Sequence, residues 1–173
     1  ETTIEQVKDV IHKDNIENDL QDVINVFTDG ACSNNGTSQA KAGIGIYFGD
    51  NDSRNVSKRI KGQQTNNIAE LSAIIEVFNI CKEDIENKRP IKIHTDSQIS
   101  IGWCTKTGDK YKTKGWENTH LSKDHIELIK RAYELCQEYP HVTLEHIKAH
   151  TGNNDPHSYG NSQADRLANL ALS

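Results

Sequence analysis

Four acidic side chains stand in sequence contexts that disfavour charge. Asp29 follows the apolar run of residues 23–28, and Asp96 follows a second apolar run in "IHTD". Glu70 lies within "NNIAEL", and Asp165 lies within "NSQADRLAN". Acidic residues are seldom buried without a charged partner or a metal ion. The four positions therefore require either separate structural roles or one shared chemical role.

Each acid taken alone has a structural interpretation. Asp29 can be a cap or turn residue, and Asp96 can cap a following helix. Glu70 can interact favourably with a helix N-terminus, and Asp165 can pair with the adjacent Arg166. These interpretations explain the acids one at a time and do not explain why all four occur in one chain.

The shared role is metal binding. Carboxylates gathered at one point repel one another, and hard divalent cations such as Mg²⁺ or Mn²⁺, which prefer oxygen ligands, relieve that repulsion. Two such ions about 4 Å apart can clamp the attacking and leaving oxygens of a phosphodiester displacement. In this hypothesis Asp29 is the carboxylate that bridges both ions.

The elements predicted around these acids form a mixed sheet flanked by helices. Three short strands joined by polar loops indicate an antiparallel meander, after which strands alternate with amphipathic helices. Gly43 and Gly45 in the second strand indicate that another element approaches it closely. If strands one and four are neighbours, their carboxyl ends bring Asp29 and Asp96 together. The predicted strands are residues 23–28, 42–49, 55–60, 90–96 and 142–150, and the predicted helices begin at 65 or 66 and at 97, and span 122–139 and 159–172.

The composition indicates one domain preceded by an extension. At 173 residues and a mean hydropathy of −0.74, the chain can form one core, and no apolar run approaches the roughly 20 residues of a membrane span. Residues 1–22 carry seven acids against Lys8 and Lys13. We expect this extension to be a linker end or a packing helix, followed by a domain over residues 23–173. Its apolar residues at helical spacing are Ile4, Val7, Val10 and Ile11.

Charge and cysteine content leave the partner open. The net charge of −5 argues, taken alone, against nucleic acid. The charge is uneven, because residues 105–116 carry four lysines against Asp109 as the single acid. That stretch, with Trp103, Tyr111 and Trp116, can be a nucleic-acid contact, or a solvated face whose aromatic residues belong to the core. Four scattered cysteines without a C-x-x-C pair are typical of reduced thiols in an intracellular protein.

Five motifs together resemble the type 1 ribonuclease H family. They are "FTDGACSNNG…AGIGIYFG", "GQQTNNIAELSAI", "IHTDSQ", "IKAHTG" and "GNSQADRLAN", in that order over residues 23–172. The resemblance implies an α/β ribonuclease H-like fold with a five-stranded mixed sheet whose first three strands are antiparallel. It also implies an endonuclease that hydrolyses the RNA strand of RNA–DNA hybrids without sequence specificity, by two-metal-ion catalysis with Mg²⁺, for which Mn²⁺ can substitute. The implied products carry 5′-phosphate and 3′-hydroxyl ends.

The resemblance also assigns roles to residues. It implies that Asp29, Glu70, Asp96 and Asp165 are catalytic metal ligands, and that His150 in "KAH" is a mobile catalytic histidine that assists the leaving group and product release.

Substrate contacts follow from the same resemblance. Asn35, Asn66 and Asn67 match positions that reach the minor groove of the hybrid, and Gln64 lies beside them. Amides suit that groove because its acceptor pattern is nearly independent of sequence. Thr65 matches a residue that holds a DNA phosphate. Glu70 is further expected to accept a hydrogen bond from an RNA 2′-hydroxyl, and the lysine-rich stretch falls where many members carry a basic handle.

Several positions depart from the family pattern. Ala149 stands where the family usually has Gly before the histidine, and Gln63 replaces a basic residue common at the phosphate pocket. The loop "TGNNDPHSYG" is expected to be longer than usual, and the handle lacks a second lysine cluster after Trp116. None of these departures touches the metal ligands, and together they predict weaker binding of the hybrid.

Two other functions compete with hybrid cleavage. One is an inactive domain of this fold that binds nucleic acid or a protein partner, and the other is a related DNA-cleaving nuclease. Four mutually repelling acids disfavour the first, and the "QTNN" segment disfavours the second. We expect an intracellular monomer whose partner is an RNA–DNA hybrid duplex rather than a membrane.

Overall fold

A five-stranded mixed sheet forms the centre of the protein. The computed structural model describes residues 23–117, 120–149, 151–152 and 154–173. The sheet order is β3-β2-β1-β4-β5; β1, β2 and β3 pair antiparallel, whereas β4 pairs parallel with β1 and with β5. This confirms the predicted fold class. The strands are β1 (Ile24–Ser33), β2 (Lys41–Tyr47), β3 (Val56–Arg59), β4 (Ile91–Thr95) and β5 (Val142–His146).

Six helices in the described ranges cover the sheet. None of them is long and apolar enough to span a bilayer. One apolar cluster joins Ile24, Val26, Ile91 and Ile93 of the sheet to the α1 helix, and a second fills the space between α1, α3 and α5. The helices are α1 (Asn66–Ile80), α2 (Lys82–Glu86), α3 (Gln98–Cys104), α4 (Lys106–Thr113), α5 (Lys123–Glu138) and α6 (Pro156–Leu170).

The first strand is longer than predicted. Its parallel pairing with β4 ends at Thr28 opposite Thr95, as the apolar pattern suggests. Its antiparallel pairing with β2 continues from Phe27 opposite Tyr47 to Ser33 opposite Lys41. Asp29 therefore lies inside β1 but just beyond its contact with β4. The prediction that Asp29 ends the strand is wrong, because β2 continues to pair with residues 30–33.

The last helix begins earlier than predicted, at Pro156 rather than near residue 159. Asp155 caps it, with Oδ1 accepting a hydrogen bond from the backbone N–H of Ser158 at 3.0 Å, and proline is favourable in the first helical turn. The segment expected to be a long loop is therefore partly helical.

The aromatic residues of the lysine-rich stretch belong to the core. Trp103 is buried, and Tyr111 and Trp116 pack partly buried against the same cluster. The lysines at 106, 110, 112 and 114 are exposed on and just after α4. The stretch thus combines a packed inner face with a cationic outer face.

The extension predicted over residues 1–22, with its apolar residues at helical spacing, lies outside the described residues.

Two glycines allow helices to lie directly on the sheet. A Cβ added at Gly30 would come within 2.6 Å of the backbone nitrogen of Glu70, in the first turns of α1. A Cβ at Gly45 would come within 2.0 Å of the carbonyl oxygen of Ala164 in α6. Real Cβ atoms do not approach backbone atoms so closely, so both positions exclude every side chain. The close approach predicted from Gly43 and Gly45 is confirmed, and α6 is the element that approaches.

Candidate metal centre

Three of the predicted acids form one cluster. Carboxylate oxygens of Asp29, Glu70 and Asp96 all lie within 4.8 Å of one another. Asp29 and Asp96 are neighbours because each follows the last parallel pair of β1 and β4, formed by Thr28 and Thr95. The sequence prediction that two strand ends would bring these two acids together is confirmed, although only β4 ends there.

The cluster is assembled from both faces of the sheet. Asp29 is opposite Gly45 in the β1–β2 register, so its side chain lies on the face covered by α6. Gly30 faces α1 on the other side, and the same close contact brings Glu70 to the edge of the sheet. The two carboxylates meet beyond Thr28 and Thr95, where β1 continues without β4 beside it.

The charges of the cluster are poorly compensated by the protein. Asp29 and Glu70 are each only 4% exposed. Burial, followed by repulsion from Glu70 and Asp96, raises the pKa of Asp29 well above its usual range. Burial also raises the pKa of Glu70, although hydrogen bonds from Asp29 and from the amide of Gly30 oppose the shift. Without a cation, the Asp29–Glu70 pair therefore retains a proton near neutral pH.

This retained proton predicts how the metal-free protein responds to pH. A carboxyl group whose folded-state pKa is raised keeps its stabilising proton below the unfolded-state value and loses it as pH rises through the folded-state value. The unfolded values are about 3.8 and 4.5. We therefore expect the free energy of unfolding to gain, from this pair, a negative slope of about 1 kcal/mol per pH unit above pH 5.

Denaturant unfolding in a chelator at several pH values between 5 and 8 measures that slope. The comparison is with Asp29→Asn, because carboxylates elsewhere contribute opposite slopes that are common to both proteins. The variant should show the shallower decline; identical slopes in the two proteins would contradict a shared proton at this site.

Asp165 approaches the cluster from α6. It is half-buried, and it lies close enough to Asp29 to contribute a hydrogen bond that raises the pKa of Asp29. Asn169, one turn further along α6, donates to Oδ1 of Asp165 at 3.2 Å. The helix sits in this position because Gly45 and Gly43 give it room, so the backbone contact of α6 with β2 determines where the fourth carboxylate lies.

A cavity of about 380 Å³ opens beside Asp165. Asn161 lies in its wall, is 4% exposed, and has no hydrogen-bond partner for Oδ1 among the described residues. The sequence analysis did not identify Asn161, although its position four residues before Asp165 places both side chains on one face of a helix. Lys148 and Thr151 line the same cavity. His150 lies outside the described residues, so its role stays a prediction.

The polar residues predicted to contact substrate lie at the N-terminus of α1. Thr65 caps this helix, its Oγ1 accepting from the backbone N–H of Ile68 at 3.1 Å. Asn66 is exposed and Asn67 is half-exposed. Asn35, exposed in the loop after β1, accepts from the backbone N–H of Asn66 at 3.4 Å. Amide and hydroxyl groups from two loops therefore meet at the N-terminus of α1, the helix that carries Glu70.

Gln64 has a different environment from these neighbours. Its Oε1 accepts from the backbone N–H of Ala42 at 2.8 Å, and its Nε2 donates to the carbonyl oxygens of Ile60 and Gly62 at 3.0 and 2.9 Å. Both amide donors are thus already used within the protein. Gln64 holds the loop that precedes α1 against β2, and thereby positions the capping residue Thr65.

The fold and the site define a class of protein. It is an α/β domain in which an antiparallel meander leads into parallel strands, with a carboxylate cluster suited to a divalent cation where β1 and β4 diverge. Residues 21–173 match the RNase H family. The chain belongs to the RNase H family.

Individual relatives support the same placement. Ribonuclease H1 of Mus musculus is 37% identical over 161 residues, which cover 92% of this chain and 53% of that protein. Ribonuclease H of Schizosaccharomyces pombe is 36% identical over 150 residues, or 86% of this chain and 52% of that protein. The chain thus spans about half the length of these curated relatives. The solution structure of the PFV RNase H domain has a TM-score of 0.62 and 26% identity, with coverage of 86% of this chain and 93% of that one.

Proposed function

We propose that the domain is an endonuclease that hydrolyses the RNA strand of RNA–DNA hybrids without sequence specificity, leaving 5′-phosphate and 3′-hydroxyl ends. The observation that carries the proposal is the convergence of Asp29, Glu70 and Asp96 within 4.8 Å at the edge of an RNase H sheet. Retaining these buried acids costs stability, so a domain that only binds a partner would have little reason to keep them.

The residues fit a divalent cation. Oε2 of Glu70 is buried and has no hydrogen-bond partner among the described residues, which leaves an oxygen lone pair available for a ligand bond. The ligand set contains only carboxylate oxygens, the chemistry that Mg²⁺ prefers and Mn²⁺ accepts. Asp29, Glu70, Asp96 and Asp165 would hold two such ions. When bound, such ions activate the attacking water and stabilise charge on the phosphate and leaving oxygen.

The protein's own groups position the substrate. Glu70, fixed beside Gly30, can accept a hydrogen bond from a 2′-hydroxyl, which distinguishes RNA from DNA. The amides of Asn35, Asn66 and Asn67 supply donors and acceptors for the minor groove. The Thr65 hydroxyl proton is free to hydrogen-bond a phosphate, because the cap uses only its oxygen lone pair.

One assay distinguishes the proposed function from its competitors. A labelled RNA–DNA hybrid, double-stranded RNA and double-stranded DNA are each incubated with the protein and Mg²⁺, and with a chelator as control. Cleavage confined to the RNA strand of the hybrid, with 5′-phosphate products, supports the proposal. Cleavage of DNA would instead indicate the DNA-cleaving nuclease, and metal-independent binding without cleavage would indicate the inactive domain.

The exposed lysines of α4 predict a salt-dependent contact with the hybrid. Replacing Lys110, Lys112 and Lys114 together by Ala should weaken hybrid binding and flatten its dependence on salt, since each neutralised phosphate contributes roughly 0.9 to the log–log slope. Fluorescence anisotropy measured from about 50 to about 200 mM salt gives the slope. Changing Lys82 and Lys88, which are exposed elsewhere, is the control, and the two variants are compared by the change in slope per lysine replaced. An unchanged slope would mean that α4 carries only a solvated face.

We expect the loss of His150 to reduce catalysis less than the loss of a carboxylate from the proposed metal site. A positioned proton donor typically contributes about 10²–10⁴ in rate, so His150→Ala should slow hybrid cleavage by about 10²-fold and leave binding nearly unchanged. Single-turnover cleavage measured beside binding separates the two quantities. A variant with wild-type turnover, or one that has lost hybrid binding, would remove His150 from the proposed mechanism.

The oligomeric state and the cellular compartment are further parts of the proposal. We propose that the domain works as a monomer in a reducing, intracellular compartment, which the free, buried thiols of Cys81 and Cys104 support. Residues 23–173 would form the catalytic unit, and residues 1–22 an extension of it.

A further inference from the structure

A group of cations lies at the outer edge of the sheet, apart from the carboxylates and from α4. β3 is the outermost strand on that side, and the segment "SKRIKG" within and after it carries Lys58, Arg59 and Lys61. Lys41 begins the neighbouring strand β2. Lys58 pairs with Glu76 of α1, with Nζ 3.3 Å from Oε1. The other three cations are exposed, and none of them forms an ion pair with a carboxylate in the described part of the chain.

The pairing of β2 with β3 brings these three cations together. The amide of Ile60 donates to the carbonyl oxygen of Ala42 at 3.1 Å, which continues the antiparallel register of the two strands. That register places Lys61 beside Lys41, about 5 Å away between backbones. Arg59, two residues before Lys61, has the same side-chain direction in an extended strand. Like charges on facing strands repel one another, so this edge cluster of Lys41, Arg59 and Lys61 favours an anion.

Arg59 connects the edge cluster to the residues proposed to contact the hybrid. Its Nη2 donates to Oε1 of Gln64 at 3.3 Å, and its Nε donates to the carbonyl oxygen of Ala42 at 3.2 Å. Gln64 immediately precedes Thr65, for which a phosphate contact is proposed. A polar cavity of about 380 Å³ lies here, between the loop after β1 and the loop before α1. The hydroxyl and amide side chains in its lining are Thr37, Ser38, Gln63, Gln64 and Thr65.

The edge cluster and the α4 lysines flank the carboxylates. In the sheet order, β2 and β3 lie on one side of β1, and β4 lies on the other. The α4 helix comes after β4 and packs against α3 and α5. Lys41 is opposite Ser33, four residues along β1 from Asp29, so the edge cluster is about 15 Å from Asp29. This distance corresponds to about four to five base pairs at roughly 3.4 Å each.

We infer that the edge cluster is a second phosphate-contact surface for the hybrid, on the side of the carboxylates away from α4. The inference rests on the proposed function, because it takes the hybrid as the partner. A duplex laid across the ends of β1 and β4 would meet the α4 lysines on one side of the cleaved bond and the edge cluster on the other. Charge complementarity identifies this partner, since the chain has a net charge of −5 and yet presents cations on both flanks.

Binding of a hybrid by the Asp29→Asn protein tests the inference without cleavage. The hybrid should have about 18 base pairs, which is long enough to reach both flanks of the carboxylates. Replacing Lys41, Arg59 and Lys61 together by Gln should weaken binding at least about tenfold at about 0.1 M salt. The log–log salt slope should fall by up to roughly 2.7, because each lost phosphate contact removes about 0.9. Fluorescence anisotropy over a range of salt concentrations gives both quantities.

The matched control removes the same charges at exposed positions elsewhere, by Lys82→Gln with Lys88→Gln and Arg131→Gln. Its salt slope should equal that of Asp29→Asn alone. An edge variant with the slope of this control would overturn the inference. Cleavage of the hybrid by the protein with Asp29 intact is measured separately. Failure of the proposed function, seen as absent cleavage, is thereby distinguished from failure of this inference, seen as an unchanged slope.

The alternative is a structural role at the end of α6. A Cβ added at Gly43 would lie 2.7 Å from the Cβ of Ala171, and a helix C-terminus carries partial negative charge that attracts cations. The variant Lys41→Gln with Lys61→Gln keeps the hydrogen bonds of Arg59 and separates the two roles. For a phosphate contact, the slope should fall by roughly 1.8 while the melting temperature stays equal or rises. A lower melting temperature with an unchanged slope would overturn the inference in favour of the structural role.

Discussion

Asp29→Asn should lower metal-dependent cleavage of an RNA–DNA hybrid by at least about 10³-fold, equivalent to about 4 kcal/mol of transition-state stabilisation. The amide retains the volume and shape of the carboxyl group but loses its charge and one of the two oxygens proposed to bind the metal. Asp29 interacts with all three of the other acids, Glu70, Asp96 and Asp165, so its charge is central to the proposed site. Single-turnover cleavage at saturating enzyme measures the loss.

The same variant distinguishes catalysis from folding. In a chelator, its melting temperature should equal or exceed that of the wild type, because a buried carboxyl group repelled by its neighbours destabilises the folded state. Glu127→Gln, an equivalent change at an exposed position of α5, should leave both cleavage and melting temperature unchanged. A large fall in the melting temperature of Asp29→Asn would support the cap or turn interpretation, and substantial residual activity would remove the metal assignment.

Gly45→Ala should destabilise the protein by more than about 3 kcal/mol, beyond the usual cost of overpacking. The new methyl group would overlap the carbonyl oxygen of Ala164 and would lie 2.5 Å from the backbone nitrogen of Ala168. Both are helix backbone atoms, so relief requires α6 to move away from β2. We expect the melting temperature to fall by about 6–12 °C and cleavage to fall with it, because α6 carries Asp165.

Gly49→Ala is the control for this change. A Cβ at Gly49 would meet no atom within 4 Å, so the control should melt within a few degrees of the wild type. Denaturant unfolding of both variants provides the free energies. If Gly45→Ala were as stable as Gly49→Ala, the contact between α6 and β2 would not be what positions the fourth carboxylate.

The features of the fold that local patterns determine could be predicted from sequence. Alternation and turn residues located the five strands, and Gly43 with Gly45 indicated the close approach now seen for α6. The residues at which strands and helices begin and end were less predictable. β1 extends to Ser33 because β2 continues to pair with it, and that partner is distant in sequence. The early start of α6 had a local signal, since Asp155 followed by Pro156 is a typical helix start.

The candidate site likewise has features that could be predicted from the sequence and features that could not. Asp29 and Asp96 could be brought together from the order of the strands alone. Glu70 and Asp165 stood out by their sequence contexts, and the family resemblance placed them with the other two. The sequence did not predict that Gln64 would use its amide within the protein, because Ala42, Ile60 and Gly62 accept or donate through backbone atoms that carry no sequence signal. For the same reason Asn161 was missed: its significance comes from burial beside a cavity.

The meeting of Asp29 and Glu70 from opposite faces has a consequence for how the domain moves. A sheet usually separates the helices on its two faces, so that either layer can loosen independently. Here α1 supplies Glu70 to the carboxylate cluster and α6 brings Asp165 beside it, beyond Thr28 and Thr95. By thermodynamic linkage, a cation that binds only when α1 and α6 are both docked on the sheet also stabilises the docking of both helices. The metal-bound protein should therefore open as one cooperative unit, whereas the metal-free protein can release α6 while α1 stays docked.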